Sequence, residues 1–169
     1  GDGIINESDK YFYKKPTADV LMGLSSKMLY KAWDFSFTLR TSLNNYVYND
    51  VESSSSNLSQ LYAPSGFLIN RPTMTLANNW QGEGNFYMSD YFVQNASFLK
   101  CDNITLGYSF ERVLKTGSWH GLSGRLYATA SNVFTISKYK GLDPEVFNGI
   151  DYDLYPRPTS FILGLSLNF

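Results

Sequence analysis

The last eleven residues of the chain, TSFILGLSLNF, alternate between apolar side chains and small or polar ones. A β-strand points successive side chains to opposite faces of its sheet, so this segment predicts a strand with an apolar face and a polar face. One parity is almost wholly apolar and comprises Thr159, Phe161, Leu163, Leu165, Leu167 and Phe169. The other is mostly small or polar and comprises Ser160, Ile162, Gly164, Ser166 and Asn168.

The same alternation occurs in four earlier segments, which begin near Val20, Trp33, Asn103 and Leu122. No segment shows convincing apolar spacing of three and four, so no long helix is predicted. Strands of about 10–16 residues exceed the usual length of about 5–6 and suit a tilted, membrane-spanning sheet with apolar residues toward lipid and polar residues toward the lumen. The residues predicted to face lipid include Leu126, Phe37, Leu106 and Leu165. Those predicted to face the lumen include Arg125, Arg40, Thr105 and Ser166.

The connections between these five predicted strands alternate between short and long. Little more than Lys31 and Ala32 joins the first two strands, and 111–121 joins the third and fourth. By contrast, 49–96 and 137–158 are long. Outer-membrane barrels have short periplasmic turns and longer extracellular loops, so the short connections are assigned to the periplasm.

Composition supports a membrane sheet without proving it. Aromatic residues reach 17% and cluster near predicted strand ends, as in the aromatic belts of membrane interfaces. The net charge of −1 gives no indication of a nucleic-acid surface. The belt residues are Tyr30, Trp33 and Phe110 at one end, and Tyr46, Tyr48, Phe134 and Tyr139 at the other.

Catalytic signatures are weak throughout the chain. His120 is the only histidine and Cys101 the only cysteine, which argues against a zinc site and rules out an internal disulfide. Asp143 and Glu145 flank a proline, and a solvated turn explains this pair better than an acid and a base. The sequence therefore predicts that the chain is not an enzyme.

The opening residues GDGIINESD resemble the second half of an EF-hand-like calcium loop. Asp2 would occupy the fifth loop position, the carbonyl of Ile4 the seventh and Asp9 the twelfth, with Gly3 allowing the sharp turn. The first ligand positions lie before Gly1, and the twelfth is Asp rather than Glu. An Asp-Gly turn without calcium remains the alternative.

Several longer motifs resemble one family in order and spacing. Three segments are similar to the C-terminal end of SusC/RagA-type TonB-dependent transporters. They are SFLKCDNITLGYSF, GLSGRLYATASNVFTISKYKGLDPEV and GIDYDLYPRPTSFILGLSLNF. The segment KYFYKKPTADVLMGLSSKMLYKAWDFSFTLR resembles the part just upstream. The resemblance covers essentially residues 1–169.

This resemblance implies an all-β fold, an antiparallel sector that forms the last five strands of a barrel of about 22 strands in the outer membrane. It implies as partners the earlier strands and plug of the same barrel, a SusD-like surface lipoprotein, TonB, and membrane lipid. It also implies TonB-driven import of oligosaccharides or peptides, and a barrel-assembly signal at Phe169. Open strand edges cost several kcal/mol per unsatisfied backbone group in lipid, so the chain is expected to pair with further strands.

Two other functions remain open on sequence grounds. A passive porin-like channel would use the same two-faced strands, and an upstream plug would decide against it. A soluble β-sandwich that binds carbohydrate would use the aromatic loop residues as a stacking platform, and it would purify without detergent.

Overall fold

The computed structural model describes residues 7–56, 61, 66–71, 73, 75–76, 89–111, 122–152 and 155–168. The chain forms two units. The large-sheet unit comprises Asp19–Leu43, Ser97–Ser137 and Pro156–Phe169, and the small-sheet unit comprises Gly1–Ala18, Asn44–Ala96 and Lys138–Tyr155. Within the described ranges, the helices are too short or too polar to span a lipid bilayer.

The described elements are almost entirely strands. In chain order they are β1 (Val20–Tyr30), β2 (Trp33–Leu43), β3 (Tyr46–Asn49), α1 (Asp50–Ser55), β4 (Val93–Asn95), β5 (Phe98–Phe110), β6 (Ser123–Ser137), β7 (Ile150–Asp151) and β8 (Ser160–Asn168). Two short 3-10 helices, Glu7–Asp9 and Asp90–Phe92, complete the set. The all-β, antiparallel fold expected from the alternation is confirmed.

The large sheet has the strand order β1-β2-β5-β6-β8, and every neighbouring pair is antiparallel. All five long strands were predicted, and β5 begins at Phe98, next to the end of the predicted connection 49–96, although the predicted alternation starts only at Asn103. The reason is a β-bulge: Thr38 and Leu39 are consecutive in β2 but pair with Asn103 and Cys101. The extra residue reverses the parity, so the alternation is lost there.

A second irregularity lies opposite the first, at Asn132 in β6. Asn132 has φ = 51°, a left-handed conformation that asparagine tolerates better than most residues. Its side chain donates to the carbonyl of Pro158 at 3.1 Å, and the Thr159 hydroxyl donates to its carbonyl at 2.9 Å. The irregularity at Asn132 therefore joins β6 to the segment before β8 through these two hydrogen bonds.

The two faces of the large sheet separate as predicted. The register places Leu126 opposite Leu165 on the apolar face and Arg125 opposite Ser166 on the polar face. Side chains of the apolar face are exposed, for example Phe161 at 81% and Leu163 at 82%. The pairings put all eight residues predicted to face lipid or lumen on the expected faces.

Aromatic residues form a row at the short-turn end of the apolar face. Trp33 pairs with Tyr30 on one side and with Tyr108 on the other. The Trp33 and Tyr108 ring centroids lie 4.8 Å apart. Phe110 lies in the next row, where its ring occupies the space that a side chain at Gly124 would need. This part of the predicted belt is present in the structure.

The predicted belt at the other end is wrong for three of its residues. Tyr46 and Tyr48 belong to β3, the central strand of a small sheet with the order β4-β3-β7. Tyr139 is buried in the core of that unit with Val47 and Ala96. These tyrosines were assigned to a belt because they follow long strands, but the chain enters a second, short-stranded sheet there.

The short helix α1 follows β3 without a loop. Asn49 caps it, because its side-chain oxygen accepts from the backbone N–H of Glu52 at 2.9 Å. Such a cap stabilises a short helix by about 1 kcal/mol. The long predicted connection 49–96 thus contains regular structure at both of its ends.

Candidate functional site: the polar face of the large sheet

The most ordered feature of the polar face is an ion pair that crosses β5. Arg125 of β6 donates from Nε to Asp34 Oδ2 at 2.8 Å and from Nη2 to Asp34 Oδ1 at 2.5 Å. Both strands are neighbours of β5, whose residue between them is Gly107. A side chain at position 107 would collide with both charged groups. The glycine therefore lets a bidentate pair lie flat on the sheet.

The same side chain continues the network toward β8. The guanidinium of Arg125 lies 5.0 Å from the ring centroid of Tyr127. That ring in turn lies over Gly164, where a Cβ atom would overlap it. Two glycines, one on each side of β6, thus hold an arginine and a tyrosine close to the backbone. The polar face is smooth here because its large side chains lie along the sheet.

Two hydroxyl pairs and a second ion pair also lie on this face. Thr105 and Thr129 are cross-strand partners with hydroxyls 2.8 Å apart, and Ser25 and Thr38 are partners at 3.2 Å. Arg40 makes a bidentate pair with Asp102, the bulge residue of β5. The bulge therefore has a consequence for the site, since it supplies the carboxylate that meets Arg40.

Chemically, this face is suited to contact with polar solutes. Two pairs of its hydroxyls bond to each other and two arginines bond to aspartates, and these contacts are not the pattern of an activated nucleophile. Among the described residues, no group of three or more metal-ligating side chains comes together. The sequence predicted that Arg125 and Arg40 share this face but did not predict their partners, because those lie on other strands.

The sequence-predicted metal and assembly residues are mostly beyond the described ranges. Asp9 is exposed and ends the 3-10 helix Glu7–Asp9. Asp2 and Ile4, the other two proposed calcium ligands, and Phe169 lie outside the described residues. His120 does so as well. Of the proposed calcium ligands, only Asp9 thus lies within the described residues.

The small-sheet unit holds a buried polar cluster that sequence reasoning missed. Tyr139 donates to Asp151 Oδ2 at 2.6 Å, and burial together with this bond raises the pKa of Tyr139 above its usual value. The Gln94 side chain donates to Glu52 at 2.5 Å and accepts from the backbone N–H of Lys140 at 3.1 Å. Gln94 therefore ties α1, β4 and the segment before β7 together, a role with no sequence signature.

A sheet with one exposed apolar face, an aromatic row at its end and a self-bonded polar face has the architecture of the wall of a membrane β-barrel. Comparison with solved structures agrees. A structure of the "RagAB peptide transporter" superimposes with a TM-score of 0.74 and 24% identity, covering 94% of this chain and 18% of that one. A "closed-closed" state of the RagAB peptide importer gives a TM-score of 0.70 and 20% identity, over 99% of this chain and 20% of that one.

Sequence comparison identifies the family. TonB-dependent receptor SusC of Bacteroides thetaiotaomicron is 57% identical over 171 residues, covering 100% of this chain and 17% of that protein. TonB-dependent receptor P39 of Formosa agariphila is 31% identical over 185 residues, covering 96% of this chain and 17% of that protein. No protein-family model matches. The chain belongs to the SusC/RagA-type TonB-dependent transporters, and it spans about 17% of the length of these two relatives.

Proposed function

We propose that this chain forms part of the wall of an outer-membrane importer that is energised by TonB and carries oligosaccharides or peptides. The observation that carries the proposal is the division of the large sheet into an exposed apolar face and a polar face with bonded charges. Lipid would cover the first face, and the transported solute would pass the second.

The proposed partners follow from the relatives. The curated relatives are named TonB-dependent receptors, which supports coupling to TonB. The name RagAB joins two components in one peptide importer, and this supports a two-component assembly with a SusD-like surface lipoprotein. Both edges of the described sheet, β1 and β8, would pair with further strands of the same barrel.

The two alternative functions receive less support. A soluble sandwich buries the apolar face of its sheet against a second sheet, whereas Phe161, Leu163 and Leu126 are exposed in the described structure. A passive channel would not need TonB, which both curated relatives have in their names. Both curated relatives are named receptors, which supports the proposal that this chain is not an enzyme.

Uptake measurements in the native host test the proposal. Deletion of the gene that encodes this chain should abolish accumulation of its labelled substrate, with an oligosaccharide mixture and a peptide mixture assayed in parallel. The intact gene should restore uptake only in cells that contain TonB. Restored uptake that persists after loss of TonB would favour the passive channel, and a protein that is recovered from the soluble fraction would favour the sandwich.

Two of the sequence predictions join this proposal. We propose that Phe169 is the terminal aromatic signal for barrel assembly, so that its deletion lowers the amount of folded transporter in the outer membrane. Normal levels of the deletion variant would contradict this role. We also propose that Asp2, Ile4 and Asp9 contribute to a calcium loop completed by residues before Gly1.

A further inference from the structure

The small-sheet unit contains a groove that the proposed transport wall does not use. Its volume is about 430 Å³, and it is lined by Phe12, Tyr13, Lys14, Lys15, Asn44 and Tyr46. The segment 12–15 is fastened to the start of β3, because the Tyr46 N–H donates to the Lys15 carbonyl at 3.1 Å. A second tie is the hydrogen bond of 2.6 Å from the Tyr11 hydroxyl to Asp90. The groove is therefore held by main-chain and side-chain bonds.

Lys14 is a charge in this groove that two aromatic rings hold in place. Its ammonium lies 5.4 Å from the ring centroid of Tyr13 and 4.9 Å from that of Tyr46. Two ring faces fix the cation, yet the residue stays exposed to solvent. A charge that is already ordered loses less conformational entropy when a ligand binds, so Lys14 is prepared to meet an anion.

The other components of the groove complement a flat, partly apolar ligand. The ring of Phe12 is fully exposed, which leaves an apolar face available for stacking. The ammonium of Lys14 supplies hydrogen-bond donors, and among the described lining residues there is no carboxylate. The ligand must therefore offer acceptors, carry no net positive charge and present an apolar face.

We propose that this groove binds an acidic sugar ring, with the carbon–hydrogen face of the ring on Phe12 and its carboxylate on the ammonium of Lys14. A hexuronic acid residue combines these two features within one ring. This proposal rests on the proposed import function and adds a substrate class to it. A carboxylated peptide supplies the charge without the rigid ring, so it would use Lys14 alone.

Binding to the full-length, detergent-purified transporter tests the assignment by calorimetry. The probes are tri-galacturonic acid, the neutral trisaccharide galactotriose, and triglutamate. Lys14→Gln should weaken binding of tri-galacturonic acid by about ten-fold, the usual effect of one charge-assisted hydrogen bond, and leave galactotriose unchanged. Phe12→Ala should weaken both sugars by about five-fold through loss of stacking and leave triglutamate unchanged.

The chain offers a matched control for each variant. Lys31 also lies over a tyrosine ring, with its ammonium 5.3 Å from the centroid of Tyr30, but it belongs to the β1–β2 turn. Phe147 is as exposed as Phe12. Lys31→Gln and Phe147→Ala should leave the affinity for all three probes unchanged.

Three outcomes overturn the proposal. An equal loss of affinity in the variants and in their control variants would show that the substitutions do not act through the groove. Triglutamate binding that responds to Phe12→Ala would assign the groove to peptides. A fall in folded transporter on Phe12→Ala, but not on Phe147→Ala, would show that the ring packs against another part of the same protein. TonB-dependent uptake is measured separately, so the import function can stand when the groove assignment fails.

Discussion

Phe161 and Ile162 are adjacent in β8 and point to opposite faces of the large sheet. Phe161 is opposite Ala130 on the apolar face, and Ile162 is opposite Thr129 on the polar face. Both are apolar and exposed, at 81% and 52%. A substitution to arginine at each position therefore differs mainly in the face that receives the charge. If the apolar face meets lipid, only Phe161→Arg should be strongly destabilising.

The depth of Phe161 follows from the register. Leu165 lies in the same row as Trp33 and Tyr108, and this row marks the interface. Phe161 is four residues earlier in β8, on the side away from the interface. At about 3.4 Å per residue this is about 14 Å along the strand, and a tilt of about 40° reduces it to roughly 10 Å of depth. The apolar band is about 25 Å tall, so Phe161 lies close to its midplane.

Arginine at the midplane costs about 2–4 kcal/mol and near an interface about 0–1 kcal/mol. Phe161→Arg should therefore lower the free energy of unfolding by about 3 kcal/mol, roughly a 150-fold change in the folding equilibrium. Leu167→Arg, in the row beyond the interface, should cost about 1 kcal/mol or less, and Ile162→Arg about 0.5 kcal/mol or less. Denaturant titration of the full-length transporter in lipid vesicles, followed by tryptophan fluorescence, measures all three variants.

The order of the three changes in unfolding free energy tests whether the apolar face contacts lipid and where the interface lies. Equal costs for Phe161→Arg and Ile162→Arg would mean that the apolar face does not contact lipid. A larger cost at Leu167 than at Phe161 would mean that the aromatic row does not mark the interface. The first result would refute the assignment of the sheet to a membrane wall, and the second would refute the depth assigned to Phe161.

Three further predictions concern other parts of the chain. Gly164→Ala should destabilise by about 1–3 kcal/mol because its Cβ would displace a tyrosine ring, whereas Gly23→Ala has open space, and unfolding titrations compare the two. Because the pKa of Tyr139 is raised, the folded unit binds more protons than the unfolded chain above a pH of about 10, so its stability should fall as the pH rises further. Limited proteolysis should show this dependence, and Tyr139→Phe should remove it. Calcium removal and Asp2→Ala should each increase proteolysis near residues 10–15. If neither changes the rate of cleavage, the Asp-Gly turn without calcium is the correct interpretation.

Alternation of side chains predicted the large sheet well because each long strand divides water from lipid along its whole length. β1 was predicted at its observed bounds, and the ends of β2, β6 and β8 were within about two residues. The failures have physical causes. The bulge at Asp102 reverses the parity, so the alternation recognised in the sequence does not extend into the first part of β5.

The small sheet could not be predicted in the same way. Its strands have four, three and two residues, too few for a period to be visible. β3 pairs in parallel with β7, which is about 100 residues further along the chain. Its order depends on contacts such as the Gln94 bridge and the buried Tyr139–Asp151 bond, and local sequence does not encode these.

The self-bonded character of the polar face bears on where a transported solute would be recognised. Asp34 and Asp102 are each engaged by an arginine in two hydrogen bonds, and the hydroxyls of Thr105 and Thr129 engage each other. A solute that bound tightly to these groups would have to break such bonds, at a cost of about 1–3 kcal/mol for each charged partner that it displaced. A wall of this kind therefore suits passage more than retention. Selection would then depend on surfaces that present an exposed cation and an exposed ring, and the groove with Lys14 and Phe12 is such a surface.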